Sequence, residues 1–341
     1  MSPSPLERLM EGVRPSLGEA VEEEAERLAE RLRGEAARLA EEAWRALGEA
    51  EKRGLLHRVS PATPRGRLYG VDSGLARLRR GSRLVAVIHA VAVGVEGERH
   101  LVRTLVLPAA GPEADAAIEA AMGLAEAAMV ALVQEGGVVF LDGPLADPPW
   151  VPEPGPLLGA AAEQLLGPGG SAEDLAAVHE ARAGAMRGKR VIGVVKRLTG
   201  ESRLSGLLSA AEARDDALAA AMAAALRGRR LGPAVVGPLR LEGGAYRPYL
   251  ERLGPLGSVY VLDPRGPRGY RVEAAGLGPL EAAEAALGEA VPPAWLPEEV
   301  LAAHVLAKPP VGVVAAAARL AAAGIAGDEV AEAVYAAMGE E

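Results

Sequence analysis

Two short segments set a carboxylate where chemistry is often done: Gly-Val-Asp-Ser-Gly, with Asp72, and Phe-Leu-Asp-Gly-Pro, with Asp142. In each, an apolar run meets Asp and is followed by small, turn-forming residues. Two carboxylates brought together repel unless a cation neutralises them. With no Cys and five His in the chain, the cation that suits them is hard and oxygen-seeking, Mn2+ or Mg2+. A metal pair held by three or four acids suits phosphodiester hydrolysis, one ion activating water and the other stabilising the leaving oxygen. The third acid is Glu119 or Glu126, seven apart on one predicted helix and therefore on one face of it. Lys196, followed by Arg197 at the end of RVIGVVKR, is placed to hold a phosphate. His304, taken alone, reads as a packing residue of an Ala-rich helix, and His57, His89, His100 and His179 show no metal-ligand spacing.

The same inventory excludes other chemistry. Without Cys there is no disulfide, zinc knuckle, iron–sulfur cluster or thiol nucleophile. Ser73 and Ser205 have no His partner suggestive of a catalytic triad. No GxxxxGK[ST] loop is present, so ATP is not hydrolysed through a P-loop.

The elements that must position these residues follow from periodicity. Residues 16–52 read as a charged amphipathic helix, 67–72 as a short strand, and 83–95 with 100–107 as a hairpin. A long Ala-rich helix over 113–134 leads to a buried strand at 138–141. Strand, strand, strand, helix, strand is the opening topology of an RNase H-like α/β domain, with the crossover setting the fourth strand parallel to the first. That topology puts Asp72 and Asp142 at the C-terminal ends of neighbouring parallel strands, the edge where open α/β sheets bind ligands. Residues 145–170 read as irregular, 172–187 as helix, 190–196 as a buried strand, 203–227 as helical, and 259–263 with 270–274 as a late hairpin. Helices at 279–288, 297–307 and 311–339 close the chain.

The chain has 341 residues, 50% of them hydrophobic, and a net charge of -9 from 37 Lys+Arg and 46 Asp+Glu. That balance speaks against a wholly basic nucleic-acid coat but allows a local basic groove. Only four of the basic residues are Lys; the Arg cluster at 77–80, 187–190, 227–230 and 265–271. Around one site they would form a track for a phosphate backbone. The absence of Asn, with only Gln134 and Gln164, fits a hot-living source or a GC-rich genome. No apolar leader and no membrane-length apolar run is evident, so a cytoplasmic protein is expected.

Taken in order, the segments resemble the NurA family of DNA-end-processing nucleases. The resemblance rests on YGVDSG at 69–74, Ile118-Glu119, LDGPL at 141–145, VIGVVKR at 191–197 and WLPEEVLAAH at 295–304. Two positions depart from the family pattern. Asp-Ser-Gly stands where Asp-Gly-Ser is more usual, and Leu296 stands where the family has an active-site Tyr, so no role passes to that position. The resemblance implies an RNase H-like mixed-sheet α/β core flanked by helices. A helical N-terminal arm would cover 1–60, the nuclease domain 61–310 and a helical C-terminal segment 311–341. It further implies a Mn2+- or Mg2+-dependent 5′-to-3′ exonuclease and single-strand endonuclease. Asp72, Glu119 (or Glu126), Asp142 and His304 would serve the metals and Lys196 the phosphate. Arg79, Arg80, Arg197, Arg229, Arg230 and Arg268 would meet DNA. A homodimer, a HerA-type hexameric ATPase partner and DNA end resection in recombinational repair complete the expectation. The rival readings are another RNase H-like nuclease, such as an RNase H or a junction resolvase, and an inactive DNA-binding adaptor of the translocase.

Overall fold

A nine-stranded mixed sheet brings the widely separated acids together. The computed structural model describes residues 17–80, 83–108, 111–198, 203–208 and 214–323. The described elements begin with α1 (Leu17–Lys52), β1 (Leu56–Arg58), β2 (Leu68–Arg80), β3 (Arg83–Gly94), β4 (Gly97–Leu107), α2 (Pro112–Ala131) and β5 (Val138–Leu141). Then come α3 (Pro156–Leu166), α4 (Ala172–Ala176), α5 (Val178–Met186), β6 (Arg190–Val195), α6 (Arg203–Leu207), α7 (Asp215–Gly228) and β7 (Ala234–Arg240). The last are α8 (Arg247–Leu253), β8 (Gly257–Leu262), β9 (Tyr270–Ala275), α9 (Pro279–Gly288), the ribbon β10 (Ala290–Val291) and β11 (Leu296–Pro297), α10 (Glu298–Leu306) and α11 (Val311–Ala323).

The sheet order is β1-β7-β8-β9-β6-β5-β2-β3-β4. At its centre β5 runs parallel to both β2 and β6, and every other pairing is antiparallel. The half β4-β3-β2-β5-β6 is the expected RNase H-like arrangement, a mixed sheet flanked by helices. β3 (RLVAVIHAVAVG) is a nearly unbroken apolar run because both of its faces are covered.

Each strand sends alternate residues to opposite faces. On one face Val71, Leu141 and Val191 pack with Ile118 and Met129 of α2 and Ala183 of α5. Further along that face, α1 and α7 cover Val236, Tyr260 and Leu262 with Ala43, Leu47, Leu218 and Met222. On the other face Phe140, Val194, Tyr270 and Val272 pack against Ala286 of α9, Leu296 of β11 and Val300 of α10.

Several boundaries differ from the sequence expectation. β2 does not stop at residue 72 but continues to Arg80, paired with β3 along its length from Tyr69↔Gly94 to Arg80↔Arg83. Residues 145–170 are not wholly irregular: Pro156 at the first turn after Gly155 starts α3. The helix expected at 172–187 breaks at Ala177 into α4 and α5. β1 and β7 were not expected; they pair with each other, and β7 with β8. The early part of the helix 311–339 is α11, and residues 324–341 lie outside the described residues, as do residues 1–16.

One stretch, Glu298–Ala316, is long and apolar enough to cross a membrane by length and composition. It spans two helices, α10 and α11, separated around Pro309-Pro310. Ala303 and Ala307 pack with Val91 of β3, and Val313 and Val314 with Val85 and Val87.

Candidate functional site

The segment Gly-Val-Asp-Ser-Gly works because of its two glycines. A Cβ on Gly70 would meet the Glu299 carbonyl oxygen at 2.0 Å, and one on Gly74 the Ala307 carbonyl oxygen at 2.0 Å. Four strand residues span about 13 Å and eight helix residues about 12 Å, so α10 can lie along β2 between these points. Asp72 is midway between the glycines, and the helix midpoint carries the buried Ala303 and then His304. The close approach thus sets His304 over Asp72. Asp142 arrives by the parallel pairing of β2 and β5: their last pair is Val71↔Leu141, and the Asp142 N–H donates to the Val71 carbonyl at 3.1 Å. Asp72 is therefore inside a strand, but at the end of the parallel ladder.

Ligand atoms of Asp72, Asp142 and His304 all lie within 4.8 Å of one another. His304 Nδ1 is 3.1 Å from Asp72 Oδ2 and 2.8 Å from Asp142 Oδ2. Lys196 Nζ donates to Asp142 Oδ2 at 2.5 Å. These residues line a cleft of about 530 Å³ together with Ser73, Asp147, Arg197, Arg268, Tyr270 and Leu296. Burial, then the Asp142 and Glu126 carboxylates, push Asp72 from 3.8 to about 9, against one backbone hydrogen bond from Ser73. A carboxyl so disfavoured as an anion is a place that calls for a cation. Two carboxylates and an imidazole fit a divalent ion of the Mn2+ or Mg2+ class rather than a soft metal.

The two candidate third acids differ in setting. Glu126 is buried beneath the site: Ser73 Oγ donates to its Oε1 at 2.6 Å, and Arg182 Nη1 to its Oε2 at 2.6 Å. Ser73 also donates its backbone N–H to Asp72 Oδ1 at 2.7 Å, so one residue links both acids. Arg182 is itself buried and also donates to the Leu145 and Gly123 carbonyls, each at 3.3 Å, which fastens the loop after Asp142. Glu119 is half-buried two turns nearer the start of α2, and neither glutamate is among the side chains that line the cleft. Burial raises it, Arg77 lowers it and Asp115 raises it.

Asp147 was missed by sequence reasoning, because Leu-Ala-Asp-Pro-Pro reads as a turn. It lines the cleft and is raised to about 6 by burial and then by Glu126, against Arg182. Tyr270, which the sequence marks as the one aromatic interleaved with the Arg clusters, also lines the cleft. Leu296 lines the cleft, so the position that the resemblance gives to a Tyr is apolar here.

The predicted basic residues divide. Arg197 and Arg268 are exposed and line the cleft. Arg229 and Arg230 follow α7 and precede Ala234, which pairs with Leu262 at the same edge of the sheet. Arg229 lies over the Trp44 ring, 3.8 Å from its centroid, so it also fastens α1. The side chains of Arg79 and Arg80, at the end of β2, lie outside the described residues. The cluster 187–190 does not join a track at this site: it opens β6, whose far end carries Lys196 about 20 Å away.

No family model matches the sequence, and no curated protein matches it. Solved structures do. A crystal structure of NurA bound to dAMP and manganese superposes with a TM-score of 0.61, over 91% of this chain and 99% of that one, at 12% identity. The NurA nuclease from Sulfolobus solfataricus gives 0.57 over 89% and 96%, also at 12% identity. A structure of NurA with manganese gives 0.52 over 80% and 95%. The chain has the NurA fold. At 12% identity the likeness is one of architecture, and the NurA fold here carries its acids, His304 and Lys196 at one edge of the sheet.

Proposed function

We propose that this chain is a divalent-metal-dependent nuclease acting on DNA. The observation that carries the reading is the convergence of Asp72, Asp142 and His304 within 4.8 Å, in a cleft that also holds Lys196. The NurA fold supports it, since NurA structures have been obtained with manganese and with dAMP. When bound, the metal would supply water activation and charge stabilisation at the phosphorus. Asp72 and Asp142 would give it oxygens and His304 a nitrogen. Of the two glutamates, Glu126 is the better third acid, because it shares Ser73 with Asp72 and acts electrostatically on it. Lys196 would turn from Asp142 to a phosphate oxygen. In the step itself, the water oxygen bonds to phosphorus as the P–O bond to the neighbouring sugar breaks. The water's proton passes to solvent in the open cleft, and the departing sugar oxygen gains a proton from solvent. His304, half-exposed there, would keep its outward ring N–H to orient the water oxygen.

The basic residues of the same edge support a nucleic-acid substrate. From β2 to β7 the sheet edge spans five strand spacings, about 24 Å, and it carries Lys196, Arg197, Arg268, Arg229 and Arg230. The finer expectations belong to the same reading: 5′-to-3′ exonuclease and single-strand endonuclease activity, end resection, a homodimer and a cytoplasmic location. A hexameric HerA-type ATPase as partner fits a chain without a P-loop of its own. The test is cleavage of end-labelled single-stranded and blunt duplex DNA with Mn2+, by wild type and by Asp142→Ala. The variant should lose about a hundredfold or more of the rate. Equal cleavage by Asp142→Ala would sink the assignment.

A further inference from the structure

One row of side chains crosses the edge of the sheet on the face covered by α10, one from each of four adjacent strands. Asp72 is on β2, Asp142 follows β5, Lys196 follows β6 and Tyr270 opens β9. The last pair of β6 and β9 is Val195↔Arg271, and continuing that register by one residue sets Lys196 opposite Tyr270. Residues so opposed have Cβ atoms about 5 Å apart, close enough for two donors to converge on one phosphate.

The first three members of the row are bonded to one another or to His304. Tyr270 is not. Its side chain is 1% exposed and lines the cleft, yet its hydroxyl has no hydrogen-bond partner among the described residues. A buried hydroxyl left unpaired is costly, and a ligand that accepts from it removes that cost. Burial and then the Asp263 carboxylate push the phenol's ionisation upward, against Arg265. The group therefore stays a neutral O–H donor, and a phosphodiester offers acceptors.

We propose that Tyr270 is a substrate-contacting residue: its phenol donates to a non-bridging oxygen of the phosphate that Lys196 pairs with, holding the DNA backbone on the β9 side of the metal centre. The inference rests on the nuclease reading and adds a residue which that reading does not use.

The test is Tyr270→Phe against wild type, with a 5′-fluorescein-labelled oligothymidylate and Mn2+, together with the thermal midpoint of each protein without DNA. Removal of only the hydroxyl should lower kcat/KM about tenfold or more, the size of a lost hydrogen bond to a charged group. The midpoint should be unchanged or higher, because no protein group loses a partner. Wild-type kcat/KM in a variant beside an active wild type overturns this inference alone. A midpoint several degrees lower also overturns it, since the hydroxyl would then serve the fold. A wild type that cleaves no DNA overturns the nuclease reading and this inference with it.

Discussion

Replacing Asp72 by Asn should make the metal-free protein more stable while removing its capacity to bind Mn2+ tightly. Asp72 is raised from 3.8 to about 9, first by burial and then by Asp142 and Glu126. Between those two values the folded chain holds a proton that the unfolded chain has released. The stability this group contributes is therefore complete below 3.8 and declines as pH rises towards about 9. At about 1.4 kcal/mol per pH unit, the loss by pH 7 has a ceiling of about 4 kcal/mol. The carboxyl shares its proton with Asp142 and faces the cleft, so about half of that, ~2 kcal/mol, is the working figure. Asn is neutral at every pH and can keep the geometry, accepting from the Ser73 N–H and donating to Asp142. Thermal melts of both proteins in EDTA at pH 5 and pH 8 should show Asp72→Asn ahead by a few degrees at pH 8. Its lead should be smaller at pH 5. Excess Mn2+ should raise the wild-type midpoint and leave the variant nearly unmoved. A wild type more stable than the variant in EDTA at pH 8, or a gap that does not widen with pH, refutes the reasoning.

Three other outcomes follow. Glu126→Gln strands the buried Arg182 guanidinium and should cost about 3–5 kcal/mol by chemical denaturation, whereas Glu119→Gln, half-exposed, should cost less than about 1 kcal/mol. Gly74→Ala forces α10 off β2 at the Ala307 carbonyl, so it should lower the thermal midpoint and slow Mn2+-dependent cleavage together, with His304 displaced. Arg197→Ala combined with Arg268→Ala should weaken oligonucleotide binding and reduce the slope of log affinity against log salt by about 1.4–1.8, depending on whether the strand is single or paired. An unchanged slope in an anisotropy titration would remove these two residues from the DNA track.

Asp72, Asp142 and Lys196 were legible because each follows an apolar run that can only be a buried strand, and the order of those runs fixes which strands lie side by side. The length of β2 was not legible, since Arg77-Leu78-Arg79-Arg80 reads as a charged turn; its strand character comes from the long partner β3. β7 was hidden by Gly237-Pro238, which falls where the register with β8 shifts between Val236 and Leu239. His304 by itself read as packing, and only the close approach of α10 to Gly70 and Gly74 sets it over the acids. The choice between Glu119 and Glu126 depends on which turn of α2 crosses β2 beside the acids, which helical spacing leaves open when both share a face. Tyr270 stood out in the sequence only as the aromatic among the Arg clusters; its unpartnered hydroxyl could not be read there, because whether a buried hydroxyl has a partner is a property of packing.

The charge arrangement at the site accounts for both its strain and its use. Glu126 is matched by Arg182, and Asp142 by Lys196, so each of these acids has a cation of the chain's own. Among the described residues Asp72 accepts a backbone N–H from Ser73, shares the imidazole of His304 with Asp142 and meets no cation of its own, and it remains protonated well above the usual carboxylate range. The metal-free centre is thus held near balance by one proton, which on the proposed reading a divalent ion would displace. Metal affinity should then rise about tenfold per pH unit until Asp72 has ionised, near pH 9. The overall charge of -9 does not oppose a DNA substrate on this account. The acids nearest the substrate are neutralised by Lys196, Arg182, a proton or a metal, and the exposed Arg197, Arg268, Arg229 and Arg230 set the local field at the edge where a phosphate backbone would lie.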